Sequence, residues 1–233
     1  MKAHNWTPPG RRLCDVCYRR VEGWRQKVAF ALFTAQCLTG SLGCPIIRLV
    51  APADDLIAAL ALQEEVVARL DRSGLRADSP CPGWTVGDVL NHSVGVTRKL
   101  SAFASGATDA PRTPSGDLLG DDPVLALLTA ANAARDAWTR ADMARLCRLP
   151  FATLSAEATA GLNLYDVLAH TWDIATGAGI ALACSDDLWI AALGAAQVVI
   201  GPSRDHAHYG PAVAITPAAT PRQRFLSFLG RCE

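Results

Sequence analysis

Most of this 233-residue chain is patterned as helices whose first residues are marked by capping side chains. The clearest helix start lies in the stretch CPGWTVGDVLNH, residues 81–92, where Thr85 is the N-cap and Asp88 follows three residues later. Such a pair satisfies two backbone N–H groups that the first turn of a helix leaves unpaired. The apolar residues that follow recur at helical spacing. We therefore predict an amphipathic helix from Thr85 toward Gly106.

Five further segments carry helical signals of the same kind. Many Ala and Leu residues, with only three Tyr and six Phe, also favour helices over a β-sandwich. Only residues 147–157 suggest a short extended connection. The five helices are expected from Pro52 to about Gly74, from Asp122 to about Met143, over about 159–176, from Ser185 to about Gly201, and from Thr220, with Pro221 and Gln223, toward the end of the chain. The sequence thus predicts an all-α fold, in which four long helices form a bundle with short additional C-terminal helices.

Charge and cysteine content narrow the class of protein. The formal net charge is zero, so nothing indicates a partner such as nucleic acid or an anionic membrane. The eight cysteines are too scattered for a disulfide scaffold, which makes reduced thiols and a cytoplasmic location the expectation. No apolar run reaches the roughly 18 residues of a membrane-spanning helix.

The first fifty residues differ from the rest of the chain. They contain eight Lys or Arg against Asp15 and Glu22, a net charge of +6, so the remaining residues carry −6. This asymmetry indicates a boundary between an extension, 1–50, and a helical domain, 51–233. Basic residues before the apolar run at 28–38 resemble a secretory signal, and Cys14 with Cys17 forms a CxxC pair. We prefer a poorly ordered extension, or one created by a start codon assigned too early.

Three ionisable residues lie on one side of the helix predicted at 159–176. Asp166 and His170 are four residues apart, and Asp173 follows by three. Two ligands at this spacing can reach one metal ion, as in the helical HExxH zinc motif. A catalytic zinc usually takes three protein ligands, so a third must come from another helix. His92, on the apolar side of the helix that begins at Thr85, is the natural candidate.

Each of these residues also has an ordinary structural alternative. The histidines could be hydrogen-bonded core residues, and the aspartates could be solvated carboxylates. Asp173 could also support a metal ligand by accepting a hydrogen bond from it. His206 and His208, in a presumed loop, could approach the same metal. Three cysteines are candidate nucleophiles, although buried inert thiols are commoner: Cys81, Cys147 and Cys184.

Three stretches carry a resemblance to a known family: CPGWTVGDVLNH, LYDVLAHTWDIATGAG and HYGPAVAITPAATPRQRFLSFLGR. Over roughly 51–231 the chain resembles the DinB-like superfamily of helical metal proteins. Within it, the chain is similar to the actinobacterial group related to the metal-binding domain of mycothiol-dependent maleylpyruvate isomerase. The resemblance implies a four-helix bundle with a divalent metal, usually zinc, held by His92, Asp166 and His170. The family has Glu where this chain has Asp166, whose shorter side chain must approach the metal more closely.

The resemblance also implies a chemistry. A metal with three protein ligands offers its remaining position to water or to a thiol, and a coordinated thiol is deprotonated. We therefore expect a metal-dependent transferase or isomerase that uses mycothiol or another small thiol with an electrophile. Zinc is the expected metal, and nickel or iron suits the same ligands. The alternative is a non-catalytic metal-binding module that acts as a sensor or binds a partner.

Overall fold

The computed structural model describes residues 52–107, 116–201, 204 and 211–233. These residues form six α-helices and one two-stranded antiparallel sheet. The extension at 1–50, with its CxxC pair and its signal or start-codon interpretations, lies outside them, as do His206 and His208. In chain order the elements are α1 (Pro52–Val67), a 3₁₀ turn (Gly74–Arg76), α2 (Val86–Ala104), α3 (Pro123–Arg140), β1 (Leu146–Arg148), β2 (Thr153–Ser155), α4 (Ala156–Gly177), α5 (Asp186–Ile200) and α6 (Pro221–Phe228).

The predicted start of α2 is confirmed in its details. The Thr85 hydroxyl accepts a hydrogen bond from the Asp88 backbone N–H at 3.1 Å, and the Asp88 carboxylate accepts one from the Thr85 N–H at 2.9 Å. Trp84 packs against the apolar cluster that contains Val89, as a residue just before an N-cap often does. The same reciprocal pair, Thr220 with Gln223, begins α6. These caps fix where each helix starts and hence which side chains face inward.

Three predicted helix boundaries were wrong. Helix α1 ends at Val67 rather than near Gly74, because the Asp71 carboxylate accepts hydrogen bonds from the Ser73 hydroxyl and the Gly74 N–H and closes a tight turn instead. Helix α3 ends at Arg140, short of the predicted Met143. Helix α4 begins at Ala156, earlier than predicted, because Ser155 caps it.

The four longest helices pack together around two clusters of buried apolar residues. Helix α1 contacts α3 and α4, and α2 contacts the same two helices. Helix α5 covers part of α4, and α6 packs on α5. The largest fully buried side chains include Trp138, Phe103, Phe225 and Leu168. The all-α fold expected from the sequence is confirmed, and β1 with β2 forms the extended connection predicted between α3 and α4.

Helices α2 and α4 run antiparallel, and this arrangement positions the candidate site. The beginning of α2 at Val86 lies against the end of α4 at Gly177. At the other end, the Arg145 side chain, just before β1, donates to the Phe103 carbonyl at 2.8 Å and also to the carbonyl of Ala104. Residues near the start of α2 therefore face residues in the second half of α4.

Within the described ranges, no helix combines the length and the apolar character that crossing a membrane requires. The cysteines in those ranges, Cys81, Cys147, Cys184 and Cys232, are free thiols.

Gly177 allows the close approach of α4 to the segment before α2. A Cβ atom at this position would lie 2.7 Å from the Asp78 carbonyl oxygen and 2.7 Å from Cγ2 of Val86. Both distances are too short for non-bonded heavy atoms, and a backbone oxygen cannot rotate away as a flexible side chain can.

We expect Gly177→Ala to lower the free energy of unfolding by about 1–3 kcal/mol, because the added methyl group overpacks this contact. Thr176→Ala, on the exposed side of the same turn, should change it by less than about 0.5 kcal/mol. Urea unfolding of the two variants and the wild type measures the difference. Equal stabilities for Gly177→Ala and the wild type would contradict this account of the contact.

Candidate metal centre

His92 lies where α2 faces α4. Its ring centroid is 5.0 Å from that of His170 and 5.2 Å from that of the Trp84 indole, both in edge-on arrangements. The cap at Thr85 sets the start of α2, so it also sets the direction in which His92 points. The antiparallel packing of α2 and α4 then supplies the neighbour that the sequence predicted, an imidazole from the other helix.

The three residues predicted as ligands are brought together. Oδ1 of Asp166 lies 3.6 Å from Nε2 of His170, one turn apart on α4. One candidate ligand atom from each of His92, Asp166 and His170 lies within 4.8 Å of the others. His170 is buried, whereas His92 and Asp166 keep a small exposed surface. This trio therefore lies at the edge of the core.

The donors of the trio suit a divalent metal ion. Ligands held 2.0–2.2 Å from a tetrahedral ion are about 3.4 Å apart, close to the separation between Asp166 and His170. The second oxygen of Asp166, Oδ2, is buried and accepts no hydrogen bond from any residue in the described part of the chain. A buried carboxylate oxygen without a partner is unusual in a folded protein. Two imidazoles and a carboxylate are also an ordinary ligand set for zinc.

Asp173 and Arg231 form a second layer behind His170. Oδ2 of the buried Asp173 lies 2.9 Å from Nδ1 of His170. Arg231, beyond the end of α6, donates from Nε to Oδ1 at 2.9 Å and from Nη2 to Oδ2 at 2.7 Å. Burial alone would raise the pKa of Asp173, but the Arg231 guanidinium and the hydrogen bonds from Arg231 and His170 hold it below its usual range. Asp173 is therefore an ionised acceptor.

The ionised Asp173 determines the protonation of His170. Because this carboxylate can only accept, Nδ1 of His170 must donate to it, and a neutral ring then keeps its lone pair on Nε2. Nε2 is the nitrogen that faces Asp166. A carboxylate behind a metal-binding histidine commonly fixes the ring in this way. The sequence indicated this role for Asp173 but gave no signal for Arg231, which lies 58 residues further along the chain.

A second group of potential ligands shares His170. Atoms of Cys81, His170 and Asp173 also lie within 4.8 Å of one another, and the Cys81 thiol donates to Asp173 Oδ2 at 3.4 Å. The two Asp173 oxygens, however, are both bound to the Arg231 guanidinium, whose positive charge opposes a cation at the same place. The trio of His92, Asp166 and His170 is the better candidate metal site.

Asn91, next to His92, and two of the cysteines singled out in the sequence do not belong to the trio. The Asn91 side chain donates to the Gly116 carbonyl at 3.1 Å and accepts from the Leu118 N–H at 2.7 Å, so it holds the chain that leads into α3. Cys147 is buried, with its thiol toward the Phe103 carbonyl. Burial raises the pKa of the Cys184 thiol to about 12, which makes it a poor nucleophile.

Burial is the main cause, and the nearby His170 ring the second, of a pKa of His92 that is lowered to about 4. His92 is therefore neutral at pH 7, the form that binds a metal ion. In the unfolded chain a histidine titrates near its ordinary value of 6.5. Between these two values the unfolded state binds more protons than the folded state, so stability falls as the pH falls.

We expect the metal-free protein, kept in a chelator, to lose ~2 kcal/mol of unfolding free energy between pH 7 and pH 5 through His92. His92→Gln removes this titration and keeps a polar side chain of similar size. Urea unfolding at both pH values should therefore show a smaller loss for the variant than for the wild type. An identical loss in both proteins would mean that the pKa of His92 is not lowered by folding.

Comparison with known proteins places the chain in a family. The chain is 28% identical over 188 residues to two uncharacterized proteins of Mycobacterium tuberculosis, Rv0738 of strain H37Rv and MT0763 of strain CDC 1551; each match covers 76% of this chain and 98% of the relative. Its structure is similar to a crystal structure of a mutant mycothiol-dependent maleylpyruvate isomerase, with a TM-score of 0.49 and 12% identity over 64% of this chain and 68% of that chain. The family model described as the mycothiol maleylpyruvate isomerase N-terminal domain matches residues 56–175, more than half of the chain. The chain therefore belongs to the mycothiol maleylpyruvate isomerase N-terminal domain family.

Proposed function

We propose that this protein binds a divalent metal ion through His92, Asp166 and His170 and uses it to activate a small thiol. The observation that carries the proposal is the trio itself, in which Asp166 Oδ2 is buried without a hydrogen-bond partner among the described residues. Zinc is the metal that we expect. Nickel and iron suit the same donors. The family supplies the expected thiol, mycothiol.

The surroundings of the trio keep its two histidines in a form that can bind a metal ion. Asp173 and Arg231 hold the His170 ring so that Nε2 points to Asp166. Burial keeps His92 neutral, with a lone pair available. A bound divalent ion would supply one chemical function here, which is to lower the pKa of a coordinated thiol so that it is a thiolate at neutral pH.

A thiolate held in this place can attack an electrophile. His92 and Asp166 are each partly exposed, so we propose that both small molecules approach the metal from their side. If the thiol adds to a double bond and later leaves, the product is an isomer of the substrate. If the new carbon–sulfur bond stays, the product is a thioether. We therefore propose a thiol-dependent isomerase or transferase.

One observation favours a second candidate function. The other ionisable groups that touch the trio are already engaged within the chain, because Asp173 accepts from Arg231 and His170, and the Cys81 thiol donates to Asp173. Beyond these groups, a further described ionisable side chain whose charge acts on His92 is Lys99, two turns along α2. A metal-binding module that acts as a sensor or binds a partner would need only the trio.

Metal content tests the site. We expect the purified full-length chain to bind one divalent ion, and His92→Ala, His170→Ala and Asp166→Asn each to weaken binding by at least about 100-fold. Elemental analysis after dialysis and zinc titration calorimetry provide the measurements. Circular dichroism shows whether each variant is folded.

Cys81→Ser is the matched control, because Cys81 belongs to the second group but not to the trio. It should bind the metal as the wild type does. If Cys81→Ser lost the metal while Asp166→Asn kept it, the site would be the second group and the proposed ligand set would be wrong.

Turnover separates the two candidate functions. Metal-loaded protein mixed with mycothiol and a panel of electrophiles should consume one of those electrophiles, with catalysis lost on chelation and in His170→Ala. Product analysis distinguishes an isomer, which regenerates the thiol, from a thioether, which consumes it. Full metal binding without turnover on any electrophile would favour the sensor or binding module.

A further inference from the structure

The outward face of α5 is apolar. The sequence contains no charged residue from Leu188 to Ser203, although α5 lies on the outside of the helices around the core. Ile190 is 55% exposed and Val198 is 74% exposed, the largest exposed fraction among the large apolar side chains described. The opposite side of the same helix is buried through residues such as Trp189 and Ala192. Both sides of α5 are therefore apolar, but only one of them packs against the described part of the chain.

Gly194 lies at the middle of this exposed face, four residues from both Ile190 and Val198. A Cβ atom added there would meet no atom within 4 Å, so packing within the described chain does not require glycine. At Gly161 on α4, by contrast, packing within the chain explains the glycine, because an added Cβ would lie 3.1 Å from Cβ of Ala195. Glycine is a poor residue for the interior of a helix. Its presence at Gly194 suits the close approach of another backbone from outside.

We propose that the exposed face of α5 is the interface of a homodimer, in which two copies of α5 cross antiparallel with Gly194 near the two-fold axis. The exposed residues of α5 can pack against a second copy of themselves. A two-fold rotation about Gly194 places Ile190 of each copy against Val198 of the other copy. Such self-complementarity is what a two-fold interface requires. An unrelated partner would not need it.

Charge favours the antiparallel arrangement. Asp186 and Asp187 lie in the first turn of α5, and Arg204 follows its last turn. Two antiparallel copies bring the acidic end of each helix toward the basic end of the other, and the helix dipoles oppose each other favourably. The Arg204 guanidinium lies 4.8 Å from the centroid of the Phe228 ring and donates to the Phe228 carbonyl, so it is held against α6, the helix that packs on α5.

Sedimentation velocity of the full-length chain tests the dimer. The concentrations should span roughly 1–100 μM, the range in which weak interfaces form. We expect a mass of two chains for the wild type. Ile190→Glu and Val198→Glu should raise the dissociation constant at least tenfold. Gly194→Leu should do the same although it adds apolar surface, because the helices could no longer approach closely.

Leu146→Glu is the control, since Leu146 is 67% exposed on β1, away from α5, and this variant should dimerise as the wild type does. Thermal unfolding followed by circular dichroism shows that each variant is folded. A wild-type monomer at 100 μM, as expected if residues 28–38 of the same chain covered α5, would overturn the proposal. So would a dimer that survives all three substitutions on α5. Because the trio plays no part in this interface, metal binding and dimerisation can fail independently.

Discussion

The buried ion pair between Asp173 and Arg231 holds the candidate site together. Asp173 has no exposed surface, and a carboxylate in that position needs a cationic partner with good geometry. Arg231 provides it with two parallel hydrogen bonds from the far end of the chain. Removing one member of such a pair costs about 3–5 kcal/mol, because the other charge is left buried. The pair therefore ties the end of the chain to α4 and, through His170, to the candidate ligands.

The candidate ligands could be predicted because their signals are local or periodic. Asp166 and His170 are one helical turn apart, and the cap at Thr85 shows where α2 starts and that His92 lies on its inner side. Only one further assumption was needed, that α2 and α4 face each other, as helices of a bundle do when their side chains build one metal site. The structure brings the three residues together as predicted, while their binding of a metal stays a proposal.

The parts that the sequence did not predict depend on contacts between distant residues or on competing local bonds. No periodicity connects Arg231 with Asp173. The early end of α1 depends on the Asp71 side chain. Its carboxylate accepts a hydrogen bond from the Gly74 N–H and so forms a turn where the helix could have continued. That Asp166 Oδ2 is buried without a hydrogen-bond partner among the described residues can be seen only once the surrounding helices are in place. In each case a single side chain decides between arrangements that the apolar pattern alone allows.

The candidate site carries its own energetic cost in the absence of metal. His92 is held neutral although water would favour its charged form at mildly acidic pH, and a buried oxygen of Asp166 has no donor among the described residues. A bound divalent ion would relieve both costs, since it accepts a lone pair from the ring and pairs with the carboxylate. Because the folded chain presents these groups together and the unfolded chain does not, metal binding and folding should be thermodynamically linked. The same arrangement that makes the metal-free protein less stable would then make the folded protein selective for a cation at this point.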